Sequence, residues 1–116
     1  MKFSTKVKTL ILKRARGKCE ICGVSCINGQ IHHRRPRGMG GSKSASTGSA
    51  ANGVLLHPAC HLKVETNRNE ALNRGWLVRQ GNDPEVEPFR RYDGWFLFKA
   101  DGTAEKSEPK ELFSSD

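Results

Sequence analysis

The chain has 116 residues, of which 35% are hydrophobic and 28% charged, so it is long enough for one small domain with a modest core. No apolar run approaches the ~20 residues needed to span a bilayer, and no apolar signal segment follows the first residues, so we expect a soluble, cytoplasmic protein rather than a membrane or secreted one. The formal charge of +8 is concentrated in residues 1–43, which carry 11 Lys and Arg and one acid, whereas residues 44–116 carry 9 and 11. This basic N-terminal part predicts a polyanionic partner, most simply nucleic acid.

Residues 5–16 predict the first helix. Apolar residues recur there at helical spacing: Val7, Leu10, Ile11 and Ala15. Ser4 is a suitable N-cap and Gly17 a suitable stop. The Lys and Arg residues on the remaining surface of this helix have two interpretations, a solvated face or a phosphate-contacting one.

Two short pairs of metal ligands follow the helix. Cys19 and Cys22 are separated by two residues, with Gly23 permitting a tight turn, and the same spacing separates His57 from Cys60. Together these four side chains predict a tetrahedral structural Zn²⁺ site. Cys26 is the competitor of His57 for the fourth position, and its other interpretation is a small buried residue. Two disulfides are the alternative for a secreted protein.

Between the two pairs the sequence predicts two short strands. Asn28-Gly29 is a hairpin signal, and residues 30–32 read as a strand that delivers the histidines. Residues 38–51 are rich in Gly and Ser and predict a mobile loop. Residues 53–56 predict the second strand, and a helix should begin near His57, with Pro58 in its first turn.

The C-terminal half predicts a short helix and a small sheet. The helix covers residues 69–74 and ends at Gly75, and strand-like stretches follow at residues 76–78, 85–91 and 94–98. The aromatic residues here suit the core of a small antiparallel sheet better than a base-stacking platform. Residues 103–116 predict a frayed tail. The expected fold class is therefore α+β, as a single domain over residues 1–116 with a C-terminal hairpin region at 76–100.

The remaining histidines predict a second site. On a strand His32 and His33 point to opposite faces, and on a helix His61 points about 100° away from Cys60. One of the adjacent histidines can therefore share a divalent cation with His61, while the other meets water or substrate. A cation held by two protein nitrogens keeps open positions for phosphate oxygens and water, as in a metal-assisted phosphodiesterase.

Residues 15–66 resemble the core of the HNH endonucleases, which have the ββα-metal (His-Me finger) fold. The resemblance rests on the Cys-x-x-Cys pair, His32-His33, Asn52 and the final Cys60-His61, in the order of that family. It implies a DNA endonuclease in which His33 is the general base and His32 and His61 bind a catalytic Mg²⁺ or Mn²⁺. The implied products carry a 5′-phosphate and a 3′-hydroxyl.

The resemblance also implies roles for two further residues. Asn52 would fix the loop between the strands and so orient His33, without touching the metal, although Asn-Gly is also an ordinary turn signal. Glu65 would complete the metal shell or be a surface acid. His57 stands where Cys is usual in the family, and His32 where Asp is frequent. The second change makes the site softer and favours Mn²⁺, Ni²⁺ or Zn²⁺ relative to Mg²⁺.

Three arginines flank the predicted active site and are suited to bidentate phosphate contacts: Arg34, Arg35 and Arg37. We expect at least one of them to bind phosphate, and the alternative is that they solvate an exposed loop. The run HHRRPRGMGGS and the later GW, DP and DGW segments resemble the small zinc-stapled HNH proteins of tailed bacteriophages. This likeness implies a role beside the terminase large subunit in genome packaging, in a bacterial cytoplasm. Two rivals are a zinc-stapled DNA-binding module with a degenerate site, and a protein whose Cys and His residues all serve two structural zinc ions.

Overall fold

Helix α1 spans Thr5–Ala15 in the computed structural model, which describes residues 3–26, 29–36 and 45–110. Ser4 caps it, because its side-chain oxygen accepts a hydrogen bond from the backbone N–H of Val7 at 3.1 Å. Arg16 and Gly17 follow with φ of 56° and 71°, a left-handed conformation that ends the helix. The predicted first helix is confirmed at both ends.

Two strands and a helix follow in chain order. Strand β1, Gln30–His33, pairs antiparallel with β2, Gly53–Leu56, so that His32 lies opposite Val54 and His33 opposite Gly53. Helix α2 spans Pro58–Thr66, with His57 at its N-cap. These elements match the predictions, while Asn28 of the predicted turn lies outside the described residues.

The segment before β2 is helical and partly buried. Short 3-10 helices at Ala45–Gly48 and Ala50–Asn52 bury Thr47, Ala50 and Ala51. The loop predicted over residues 38–51 is therefore wrong for residues 45–48 and 50–51, which form 3-10 helices. The rest of that predicted loop, residues 38–44, lies outside the described part of the chain.

The C-terminal half contains helix α3, Arg68–Asn73, and a three-stranded antiparallel sheet. The strands are β3, Phe89–Arg91, β4, Gly94–Phe98, and β5, Ala104–Lys106, with β4 in the centre. The predicted small sheet is confirmed as a whole. Residues 76–78 are buried but irregular, so the strand predicted there is wrong. The strand predicted over residues 85–91 is found only at Phe89–Arg91, after a 3-10 helix at Pro84–Val86. The predicted frayed tail over residues 103–116 is wrong for Ala104–Lys106, which forms β5, and its residues 111–116 lie outside the described part of the chain.

Strand β2 lies between two clusters of buried side chains. Val54 and Leu56 belong to a cluster that includes Trp76, Phe89, Phe96 and Phe98, and Leu55 belongs to one with Phe3, Ile11 and Ala15. All four residues of β2 are buried, which explains its unbroken apolar sequence. No helix in the described part of the chain is long and apolar enough to cross a membrane.

A buried ion pair joins α1 to β2. Arg14 donates to both carboxylate oxygens of Glu20, at 2.9 and 2.7 Å, and to the backbone carbonyls of Ala50 and Gly53. Glu20 in turn accepts the backbone N–H of Leu55 at 3.1 Å. Because Glu20 lies between Cys19 and Cys22, this network fixes their loop against β2.

Candidate functional site

Four side chains from two segments converge on one point. The ligand atoms of Cys19, Cys22, His57 and Cys60 all lie within 4.8 Å of one another, and Cys60 Sγ is 3.6 Å from His57 Nε2. Tetrahedral zinc with Zn–S of about 2.3 Å and Zn–N of about 2.1 Å separates a sulfur and a nitrogen ligand by about 3.6 Å. The group can therefore hold a structural metal such as zinc.

The loop that carries Cys19 and Cys22 is a tight turn. The Cys19 carbonyl accepts the N–H of Gly23 at 2.8 Å, and the Cys19 N–H donates to Val24 at 2.7 Å. Gly23 has φ of 81°, and a Cβ at this position would lie 2.9 Å from the ring of Tyr92. Glycine is thus required here both by conformation and by space.

The thiol groups are unequal in acidity. Burial opposes ionisation of Cys19, but hydrogen bonds from the backbone of Cys22, His57 and Ile21 lower its pKa. Burial, together with the proximity of Cys19 and Cys22, raises the pKa of Cys60 to about 12. Three thiolates at this spacing repel one another, so their joint ionisation requires a cation.

The structure places His57, and not Cys26, in the metal-binding group. All four cysteines are free thiols, which rules out the two-disulfide alternative. Cys26 instead packs against both core clusters, and burial raises the pKa of its thiol. It occupies the second of its two predicted roles, a small partly buried side chain.

The rings of His32, on β1, and His61, on α2, lie side by side at the junction of this strand and this helix. Their ring centroids are 5.2 Å apart, and the planes are inclined by 58°. Nδ1 of His61 is 2.5 Å from Oε1 of Gln30, and its Nε2 is 3.1 Å from Oε1 of Glu65. Nε2 of His32 is buried and has no hydrogen-bond partner among the described residues. Burial, with the nearby His61, lowers the pKa of His32 to about 4, so this imidazole is neutral and can donate a lone pair.

His33 points to the opposite face of β1. Its ring stacks on Phe3 with centroids 4.1 Å apart and planes inclined by 17°. A Cβ on the opposing Gly53 would collide with Ile11 Cδ1 and approach Phe3 to 3.0 Å, so glycine leaves room for this stack. Burial lowers the pKa of His33 below its ordinary value, and its Nε2 has no partner within the described residues.

Asn52 is fully buried and holds the chain that follows β1. Its Oδ1 accepts the Arg35 N–H at 2.7 Å, and its Nδ2 donates to the carbonyls of Arg35 and Thr47 at 3.1 and 2.9 Å. Its own carbonyl accepts the Arg34 N–H at 2.8 Å. Asn52 therefore ties the two ends of the β1–β2 connection together, next to His33.

Arg34 is an internal residue, and its predicted contact with DNA is wrong. Its side chain is 0% exposed, and it donates at 2.7–3.0 Å to four backbone carbonyls, those of Ala51, Gly75, Pro84 and Glu87. Burial lowers its pKa to about 9, which still leaves it charged at neutral pH. Four of the five N–H donors of the guanidinium join the 3-10 helix Ala50–Asn52 to the C-terminal half.

Arg35 is also buried, at 6% exposure, and donates to the Asn82 carbonyl and to the Thr47 hydroxyl. Its predicted phosphate contact is wrong for the same reason, since a DNA backbone cannot reach a guanidinium enclosed by protein. Arg37 lies outside the described residues.

Replacing Arg34 with leucine should destabilise the fold strongly. Removal of the guanidinium leaves four buried carbonyls without a donor, at ~1–3 kcal/mol each, so we expect a loss of about 4 kcal/mol or more in the free energy of unfolding. Urea denaturation measures this loss. Arg79→Leu is the matched control, because Arg79 is exposed, and its stability should change by less than about 0.5 kcal/mol. Equal stabilities of the two variants would contradict the structural role.

Two residues near the histidines, Gln30 and Phe3, were not predicted from the sequence. Gln30 precedes His32 by two positions, so strand alternation places both on one face and could have identified it. Phe3 carries no such signal, because its contact with His33 depends on how α1 docks. Glu65 contacts His61, as anticipated for a residue four positions later on the same helix.

The arrangement of the histidines does not support the two-zinc alternative. Among residues 3–26, 29–36 and 45–110, only the Cys19 group gathers three or more Cys, His, Asp or Glu ligand atoms closely enough to share one ion. Comparison with family models, with curated proteins and with solved structures gave no match to this chain. Its function is therefore inferred from the site itself.

Proposed function

We propose that the protein is a divalent-cation-dependent DNA endonuclease with an HNH-type ββα-metal core in residues 15–66. The observation that carries this proposal is the buried, unpartnered Nε2 of His32 beside the ring of His61, within the described residues. A buried lone pair without a donor is costly unless it serves a ligand. The order of β1, β2 and α2 supports the proposal, because it delivers both histidines to one junction.

Two imidazoles at this junction are the proposed donors to a divalent cation. His32 and His61 would hold it, and Glu65 is within reach of His61 to add an oxygen donor. A bound cation would stabilise negative charge on the phosphate and on the departing oxygen. Two imidazoles make the site softer than one built on carboxylates, which favours Mn²⁺ or Ni²⁺ over Mg²⁺.

His33 is the proposed general base. An imidazole with a lowered pKa is neutral at physiological pH and can take a proton from an attacking water. The stack on Phe3 restricts rotation of the ring, and the hydrogen bonds of Asn52 fix the backbone that follows His33. Phe3 and Asn52 thus position His33 in this scheme and do not touch the phosphate.

The metal-binding cysteines support the active site indirectly. Cys60 and His61 are consecutive on α2, so a zinc ion held by Cys60 would also fix the helix that presents His61. Cys60 thus belongs to the structural metal-binding group, and the next residue, His61, belongs to the proposed reactive site. For the biological setting we infer, from the phage resemblance, a role with the terminase large subunit in a bacterial cytoplasm.

Supercoiled plasmid tests this proposal. We expect nicking or linearisation with Mn²⁺, Ni²⁺ or Mg²⁺ and none without added cation, a control that avoids stripping zinc with a chelator. The rate should depend on neutral His33, whose pKa lies below its ordinary value of 6.5. Cleavage should therefore change little between about pH 8 and about pH 6.5 and fall only at lower pH, as the imidazole becomes protonated.

Two outcomes would contradict the proposal. Absence of cleavage with every cation, together with retained DNA binding, would make the protein a zinc-stapled binding module. If the cleavage rate fell on acidification with a midpoint well above pH 6.5, His33 would be excluded as the titrating base.

A further inference from the structure

Helix α1 and the turn after it carry a group of exposed cations, here called the α1 basic face: Lys6, Lys8, Lys13, Arg16 and Lys18. None of them forms an ion pair with another described residue, and residues 3–19 contain no acid. Outside α1, four cations of the described chain are paired with acids, in Arg74–Glu70, Arg91–Asp93, Lys99–Glu105 and Lys110–Glu87, while others such as Arg68 and Arg79 are not. The unpaired positive charge of the described chain is thus enriched on one helix.

The geometry of α1 keeps these charges on the outside. Ile11 and Ala15 face the core, Lys6 and Lys13 lie on the opposite side of the helix, and all five cations are exposed. At ~1.5 Å per residue, Lys6 and Arg16 are separated by about 15 Å along the axis. Lys6 and Lys13 are seven residues apart and lie on the same side of the helix. A DNA duplex presents one charge per ~1.7 Å of its axis, so it can contact this whole length.

The basic face begins at the proposed active site. Phe3 stacks on His33, and α1 starts two residues later. Arg34 and Arg35, the cations nearest to His33 in sequence, are enclosed by protein. Any phosphate contacts on either side of a bound scissile bond must therefore come from other cations. We propose that the α1 basic face binds the backbone of duplex DNA, a choice of polyanion that rests on the proposed nuclease function.

Two features favour DNA over an anionic membrane. A helix that lies in a membrane interface needs a broad exposed apolar face, whereas the exposed large hydrophobic side chain of α1 is that of Leu12 alone, at 39% exposure. The other apolar residues of α1 pack in the core cluster of Phe3 and Leu55.

Asp93 is the acid near Arg16, but its carboxylate is bonded to Arg91 at 2.6 Å and neutralises little of the face.

Fluorescence anisotropy with a labelled duplex, in buffer without added divalent cation, tests this surface. The variant Lys6→Gln/Lys13→Gln removes two charges and keeps good helix formers. We expect the slope of log affinity against log salt to decrease by about 2, and affinity at about 0.1 M salt to fall roughly 10- to 60-fold. The matched control is Arg68→Gln/Arg79→Gln, which removes two exposed cations without an ion pair in the described structure and should lose less than about threefold.

The outcomes separate this inference from the nuclease proposal. Loss of binding in the α1 variant alone supports the surface, even if no cation supports cleavage. Plasmid cleavage by wild type, with unchanged binding by the α1 variant, overturns the surface and leaves the nuclease standing. Equal losses in both variants, or wild-type binding to anionic vesicles or an acidic peptide but not to duplex, also overturn it.

Discussion

Replacing His33 with alanine should lower the rate of cation-dependent plasmid cleavage by roughly 10²- to 10⁴-fold, the usual contribution of a general base. The substitution removes the proton acceptor but leaves His32 and His61, so binding of the catalytic cation should persist. Cleavage rates and Mn²⁺ affinity, measured by titration calorimetry, test the two statements separately. A coupled loss of both would place His33 among the metal ligands instead.

The control for this experiment must show that the fold survives. His33 packs on Phe3, so its removal leaves a gap beside α1, and thermal melting and zinc content should be measured alongside cleavage. His33→Gln fills more of the gap and cannot act as a base at neutral pH, so it should be equally inactive and closer to wild type in stability. Full activity of either variant would make the assignment of the base wrong.

Replacing Cys19 with serine should remove the bound zinc and lower the melting temperature by about 15–20 °C. The expected size follows from the free energy of structural zinc binding, ~10–16 kcal/mol in small zinc domains, of which even a third shifts the melting of a domain this size by that amount. Cys19 is fully buried within the ligand group, so a water molecule cannot easily take the place of its thiolate.

Cys26→Ser is the matched control, because it makes the same chemical change at a cysteine outside the ligand group. It should retain one zinc ion per chain and melt within a few degrees of wild type. A chelator should lower the melting temperature of wild type and Cys26→Ser, but not that of Cys19→Ser. If the Cys26 variant lost its zinc instead, Cys26 and not His57 would be the fourth ligand.

Much of the local structure follows from sequence, because it depends on neighbours a few residues apart. Ser4 and Gly17 bound α1, Pro58 starts α2, and alternation along β1 separates His32 from His33. The spacing of Cys19, Cys22, His57 and Cys60 predicts the ligand group for the same reason, since each pair is set by one turn of backbone.

Other features depend on contacts between distant segments and were not predicted. Thr47 and Ala50 look like part of a flexible Gly/Ser-rich loop, but Ala50 packs in the cluster of Phe3, Ile11 and Leu55, and Thr47 is hydrogen-bonded by the side chains of Arg35 and Asn52. Strand β5 forms because β4 offers a free edge for pairing. The short polar sequence Ala104–Lys106 does not by itself predict a strand.

The arginines show the division most clearly. The sequence by itself determined that a strongly basic run follows His33, and from local pattern alone such a run is expected to face solvent. Only the tertiary structure decided that Arg34 turns inward, because the carbonyls that satisfy it belong to Ala51, Gly75, Pro84 and Glu87, 17 to 53 residues away. A buried charge requires partners, and those partners exist only after the chain has folded.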